Sequence, residues 1–188
     1  MGAPLHDPAL GLLELESLAR GVVVADALVK QASVRIVLAE PVSPGKYLLV
    51  FVGGEAEVEE SFKAGLAAGG STVLDSLHLP HIAPSVVRAL LEGKFAEVGA
   101  DDSVGIVELH TVAATLKAAD KAMKSAHVKL THFHVAKGIG GKGWFTLAGV
   151  QHDVEAALEA VGAAVQAPLL VATELIQRPS AELRGRVI

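Results

Sequence analysis

The 188-residue chain contains its own copy. Leu10–Val34 laid over Val104–Val128 aligns without a gap and makes nine of 25 positions identical, among them Gly11 with Gly105, Glu14 with Glu108, Ala25-Asp26 with Ala119-Asp120 and Lys30 with Lys124. After a short insertion in the second copy, Gly45-Lys46 falls on Gly141-Lys142, Gly53 on Gly149 and Val58 on Val154. A duplication in fixed order demands one architecture used twice, in units of roughly 90 residues each. The expected domains are 1–97 and 98–188, joined through the polar, glycine-containing stretch Glu92–Ser103.

Each copy has the same run of periodicities. Leu10–Leu15 and Val104–Leu109 are short apolar runs with polar flanks, the pattern of strands. Ser17 and Thr111 stand at N-cap positions before Leu18–Gln31 and Val112–Ser125, whose apolar residues recur at helical spacing. Second strands are expected at Val34–Ala39 and Leu130–Val135, and third strands at Tyr47–Val52 and Trp144–Ala148. Amphipathic helices follow at Glu55–Leu66 and Gln151–Ala164, then fourth strands at Thr72–Leu79 and Leu169–Ile176. The order is βαββαβ twice, an α/β (α+β) chain of two tandem ferredoxin-like units with helices on one face of each sheet.

Composition narrows the chemistry. There is no cysteine, which removes disulfides, thiolate metal sites and thiol nucleophiles. A net charge of −5 argues against a general nucleic-acid binder. Mean hydropathy is high at +0.46. Yet Asp26, Lys30, Glu59, Asp120, Glu155 and Gln166 interrupt every apolar stretch before it reaches the ~18 residues of a membrane span. The surplus of Ala, Val and Leu is therefore expected between protein surfaces, including those between subunits. Met1–Leu10 has neither a basic n-region nor a long apolar h-region, so a cytosolic protein is expected.

Several constellations invite a site. Gly138-Ile139-Gly140-Gly141-Lys142-Gly143 satisfies G-x-G-x-x-G, but the dinucleotide fingerprint needs a helix directly after it, and Trp144-Phe145-Thr146-Leu147 reads as a strand. A glycine-rich turn or pore loop fits better. His132 and His134 share one face of a strand, and His78 and His81 lie three apart, but no third ligand is placed for zinc, and no metal site is assigned. Ser43 has no G-x-S-x-G context, and Glu59-Glu60 lie on a solvated helix face, so no catalytic residue is assigned and no enzyme is expected.

In sequence order these features resemble the shell proteins of bacterial microcompartments. That domain opens on an aliphatic-Gly-aliphatic-aliphatic-Glu strand and continues into a helix carrying A-D-x-x-x-K. Here the first copy has Leu12-Leu13-Glu14, Ala25-Asp26 and Lys30, and the second Ile106-Val107-Glu108, Ala119-Asp120 and Lys124. Asp75-Ser76-Leu77, Pro84-Ser85-Val86, Gly138 to Lys142 and Arg178-Pro179 extend the resemblance over roughly residues 8 to 182. Two such domains in one chain are similar to the tandem-domain class, whose trimers are shaped like hexamers.

The resemblance implies a structural protein of the microcompartment shell in the cytoplasm: a pseudohexameric homotrimer tiling with hexameric and pentameric shell proteins. It implies a pore for small polar metabolites lined by Val42, Ser43, Pro44, Gly45, Lys137, Gly138, Ile139 and Gly140. Lys30, Lys124 and Arg178 would make tile-edge contacts, and Lys46, Lys137 and Lys142 would make the pore mouth positive. Within the class, the loop position of Ser43 can be a cysteine that holds a [4Fe–4S] cluster at the trimer axis. A hydroxyl is a poor ligand for such a cluster, so no cofactor is expected here. The alternative reading is a ferredoxin-like regulatory protein that senses a small metabolite, since the same fold serves both.

Overall fold

A computed structural model describes residues 8–184, so the outer limits of the two expected domains, 1 and 188, lie outside the described residues. The first repeat runs β1 (Ala9–Leu15), α1 (Leu18–Gln31), β2 (Arg35–Val42), β3 (Lys46–Gly53), α2 (Glu55–Gly69) and β4 (Val73–Leu79). After α3 (Pro84–Glu92), the second runs β5 (Ser103–Leu109), α4 (Val112–Ser125), β6 (Lys129–Val135), β7 (Gly143–Gly149), α5 (Gln151–Ala164) and β8 (Leu170–Ile176). The sheets are ordered β2-β3-β1-β4 and β6-β7-β5-β8, with every neighbouring pair antiparallel where its register is defined. Both are the split βαββαβ arrangement expected from the repeat.

The helix starts follow from the caps. Ser17 Oγ accepts from the Arg20 amide at 3.2 Å, and Thr111 Oγ1 from the Ala114 amide at 3.1 Å, satisfying donors that the first helical turn leaves open. In the first repeat, Val24 and Leu28 of α1 and Val58 of α2 pack on Leu13, Leu15, Leu49 and Phe51 of the sheet. Ser61 Oγ donates to the Leu28 carbonyl at 2.8 Å, tying α2 to α1 inside this core. The glycine shared by the two opening strands is a packing requirement. A Cβ at Gly11 would fall 2.3 Å from the Phe51 ring, and one at Gly105 would fall 2.8 Å from Val154.

The helix α3 was not among the elements read from the sequence. Proline is compatible with its first turn, and Val86, Val87 and Ala89 are buried. The chain divides into two compact units between Pro84 and Ser85, so α3 and the join travel with the second repeat. The join is docked on β6. The Ala96 amide donates to the Leu130 carbonyl at 3.0 Å, and the Phe95 ring stacks on His132 with centroids 5.5 Å apart. Lys129 Nζ reaches Asp102 at 2.7 Å, and the Gly99 amide donates to the same carboxylate at 2.7 Å.

The Lys129 ammonium bonded to Asp102 holds its carboxyl below the usual carboxylate range, with the Gly99 amide helping and burial opposing. A depressed folded-state pKa adds stability above the unfolded value and loses it as pH falls through the folded value. Asp102→Ala is expected to lower the stability of the second repeat by about 1–2 kcal/mol at pH 7. The gap from the unaltered chain should close in acid. Urea unfolding at pH 7 and pH 3, followed by the fluorescence of the sole tryptophan, Trp144, checks both.

Candidate functional site

The corresponding hairpins of the two repeats carry all eight residues expected to line a pore. Residues 43–45 join β2 to β3, and residues 136–142 join β6 to β7. In the short loop Val42 is buried while Ser43, Pro44 and Gly45 are exposed. The Ser43–Pro44 peptide is cis, Gly45 has φ +91°, and its amide bonds the Val42 carbonyl at 2.9 Å.

In the longer loop Ala136, Gly138, Gly140 and Gly141 all have positive φ. Glycine tolerates that region freely, whereas Ala136 at φ +64° holds a conformation that disfavours a side chain. Its own bonds keep the loop folded: Ala136 amide to Lys142 carbonyl at 2.8 Å, Lys137 to Val135 at 2.7 Å, and Lys142 to Ile139 at 3.3 Å. Lys137, Gly138 and Gly140 are exposed and Ile139 half-buried. The strand β7 follows directly, so the G-x-G-x-x-G run lacks the helix that a dinucleotide would need.

One ion pair recurs at the base of both loops. Lys46 Nζ lies 2.5 Å from Glu14 Oε1, and Lys142 Nζ lies 2.8 Å from Glu108 Oε1. Each joins the last part of the opening strand to the start of the central strand or its preceding loop. The expected positive mouth is thereby corrected: two of its three lysines, Lys46 and Lys142, are neutralised by a glutamate within their own repeat. All four partners were already identical between the copies, a signal that the sequence carried and that spacing alone did not interpret.

Phe62 stacks on His78 at 5.5 Å in the first repeat, and a larger aromatic and imidazole group lies on the second. His132 lies 4.3 Å from Trp144 and 5.5 Å from Phe95, and His134 stacks 6.4 Å from His132. Burial, with the neighbouring His134 adding to it, holds the His132 imidazole below its ordinary pKa. His134 Nε2 lies 2.6 Å from the Lys137 carbonyl oxygen. Among the described residues no three His, Cys, Asp or Glu side chains gather to hold a metal. Phe95 reaches this group from the join, and nothing in the local sequence pattern signals that contact.

The proposed tile-edge residues occupy equivalent places where the repeat predicts. Lys30 closes α1 and pairs with Asp26 at 2.6 Å; Lys124 closes α4 and pairs with Asp120 at 2.8 Å. Each lysine thus meets the aspartate of its own A-D-x-x-x-K motif, at the i,i+4 spacing that favours such pairs. Arg178, with φ +50°, follows β8 beside an open cavity that Asp101, Ser103, Val150, Gln151 and Gln177 also line.

The BMC domain model matches residues 9–82 and again 103–179, one match for each repeat. The chain belongs to the BMC-domain family. The bacterial microcompartment shell protein PduT of Citrobacter freundii is 38% identical over 172 residues, covering 91% of this chain and 92% of that protein. A crystal structure of a microcompartment protein from Desulfitobacterium hafniense superposes with a TM-score of 0.86 at 35% identity, covering 95% of this chain and 98% of that one. A fused permuted hexameric shell protein from the RMM microcompartment, at 24% identity and TM-score 0.64 over 87% of this chain and 83% of its own, shares the fold. The two BMC matches coincide with the two repeats, and each repeat carries one of the loops and one of the ion pairs described above.

The twin ion pairs differ in depth, which separates their energetics. The Glu14 side chain is 6% exposed and that of Glu108 is 39% exposed. Removing Lys46 strands a buried carboxylate, whereas removing Lys142 leaves one that water can solvate. Lys46→Ala is expected to cost about 2–4 kcal/mol and Lys142→Ala about 0–1 kcal/mol. Parallel thermal melts of the two variants check the ranking.

Proposed function

We propose that this chain is a non-enzymatic structural protein of the microcompartment shell, placed in the cytoplasm. It forms a homotrimeric, pseudohexagonal tile with a central pore and packs against hexameric and pentameric shell proteins. The observation that carries this reading is a contrast between two equivalent helices. Leu18 and Val22 of α1 are 44% and 58% exposed, while their counterparts Val112 and Leu116 of α4 are 1% and 0% exposed. Val29 extends the open stripe along α1, and Asp26 is exposed where its counterpart Asp120 is buried.

One helix face is thus covered once and left apolar and open once. A second copy of the chain can cover the open face of α1 through a heterologous contact. Three such contacts close a ring of three chains and six BMC domains. An apolar stripe with small residues suits this kind of permanent interface.

In that ring the loops at Val42–Gly45 and Lys137–Gly140 line the axis. They offer the Ser43 hydroxyl and loop amides to small polar metabolites. Lys30, Lys124 and Arg178 are assigned to contacts between tiles, where long aliphatic stems pack and charged ends meet polar groups.

A [4Fe–4S] cluster does not fit the residues present. The 188 residues contain no cysteine, and the exposed loop position offers the Ser43 hydroxyl where a thiolate is required. The pore is accordingly read as plain and polar, and no electron-transfer step is assigned to it.

Two measurements test the reading. Light scattering should give three times the 19.3 kDa chain mass, and Val22→Asp should reduce it to a single chain without unfolding either repeat. A monomer in the unaltered protein would overturn the proposal. Ser43→Cys, reconstituted anaerobically with iron and sulfide, is expected to gain iron because three thiolates would meet at one axis. No iron uptake by a trimeric variant would remove Ser43 from the pore lining.

A further inference from the structure

The two hairpin loops are held by different means, and the difference lies in side chains that the fold itself does not require. Sheet register makes Leu38 and Glu40 of β2 the counterparts of His132 and His134 of β6. Leu38 pairs with Val50 and Glu40 with Leu48, as His132 pairs with Thr146 and His134 with Trp144. Neither leucine nor an ionised glutamate can donate a hydrogen bond. The loop of residues 43–45 is a three-residue hairpin closed by its own backbone, whereas residues 136–142 include an alanine in the left-handed region. That strain persists only where the surroundings fix it.

We infer that His134 is the positioning residue of the 136–142 loop, latching it through the Lys137 carbonyl, with the Phe95–His132–Trp144 stack setting the orientation of its ring. A carbonyl oxygen only accepts, so at 2.6 Å the His134 Nε2 carries the hydrogen, and the neutral ring is the Nε2–H tautomer. His132, stacked on Phe95 at 5.5 Å, tilted against Trp144 at 4.3 Å and stacked 6.4 Å from His134, limits the tilt of that ring. Phe95 belongs to the join, so the segment between the repeats helps hold a loop at the far end of β6. The latch also occupies the Lys137 carbonyl, while Gly138, Ile139 and Gly140 follow with their amides. On the pore reading, from which this consequence follows, the second loop presents donors and withdraws an acceptor. Such a lining favours carboxylates and phosphates over cations.

The experiment is hydrogen–deuterium exchange of the full chain, read on the peptide spanning 136–142, for the unaltered protein, His134→Leu and His134→Gln. The bonded amides of Ala136, Lys137, Gly141 and Lys142 are the reporters. His134→Leu should speed their exchange about three- to tenfold, with the mass from light scattering and the exchange of β5 and α4 unchanged. His134→Gln, whose amide can donate from the position of Nε2, should restore slow exchange. Unchanged exchange in His134→Leu, or no restoration by His134→Gln, would overturn the latch. Failure to form a trimer would instead remove the pore reading and leave the latch standing, so the two results are separable.

Discussion

A four-stranded sheet with two helices on one face leaves each helix a flank that its own sheet does not reach, and that flank must be covered. This chain buries that flank in one repeat and leaves it exposed in the other. In α4 the flank carries Val112, Leu116 and Asp120, all buried. In α1 the same positions are Leu18, Val22 and Asp26, all exposed. Exposure of several branched aliphatic residues along one helix face is costly in water, at about 25 cal/mol for each Å² left open. Part of the high mean hydropathy of the sequence lies here, on the surface that the proposed trimer would bury.

Within each repeat a second constraint acts at the opposite end of the opening strand. Glu14 and Glu108 sit where strand gives way to helix, and each holds the lysine at the base of the neighbouring hairpin. The pair fixes where the loop begins and leaves its length and composition free. Three residues suffice in one copy, and seven, with four in the left-handed region, are carried in the other. A common scaffold thereby supports two unlike loops. It also explains why lysines that look like a positive rim in sequence contribute little net charge at that place.

Much of the fold was legible because duplication supplied each signal twice. The N-caps Ser17 and Thr111, the glycines under Phe51 and Val154, and the fourth strands are found where periodicity put them. The boundaries moved by one to three residues, as at β2, which runs on to Val42 because the hairpin closes only at Gly45. Helix α3 escaped because it has no counterpart among the described residues of the second repeat and because Pro84 reads as a breaker, although proline is at home in a first turn. The site was legible in part. Loop positions followed from glycine content, but the contact of Phe95 with His132 joins residues 37 apart and leaves no local pattern. The partners of Lys46 and Lys142 were visible as shared identities without a distance to connect them.

Fusion of two BMC domains has a physical consequence that six identical chains could not obtain. In a ring of equal subunits, every substitution appears at all six positions, so a loop that narrows the axis does so from every side. In a tandem chain the two repeats keep what the scaffold needs, the Glu–Lys pair, the caps and the close-packed glycines, and diverge elsewhere. The repeats differ on the flank of α1 against α4, which bears on closure of the proposed ring, and on β2 against β6 with their loops, which bears on its proposed centre. Leu38 and Glu40 stand in one repeat where His132 and His134 stand in the other, and only the second pair can grip a longer loop. In the proposed trimer, a short loop would alternate with a latched one around the axis, so that a single chain could set pore width with one loop and pore chemistry with the other.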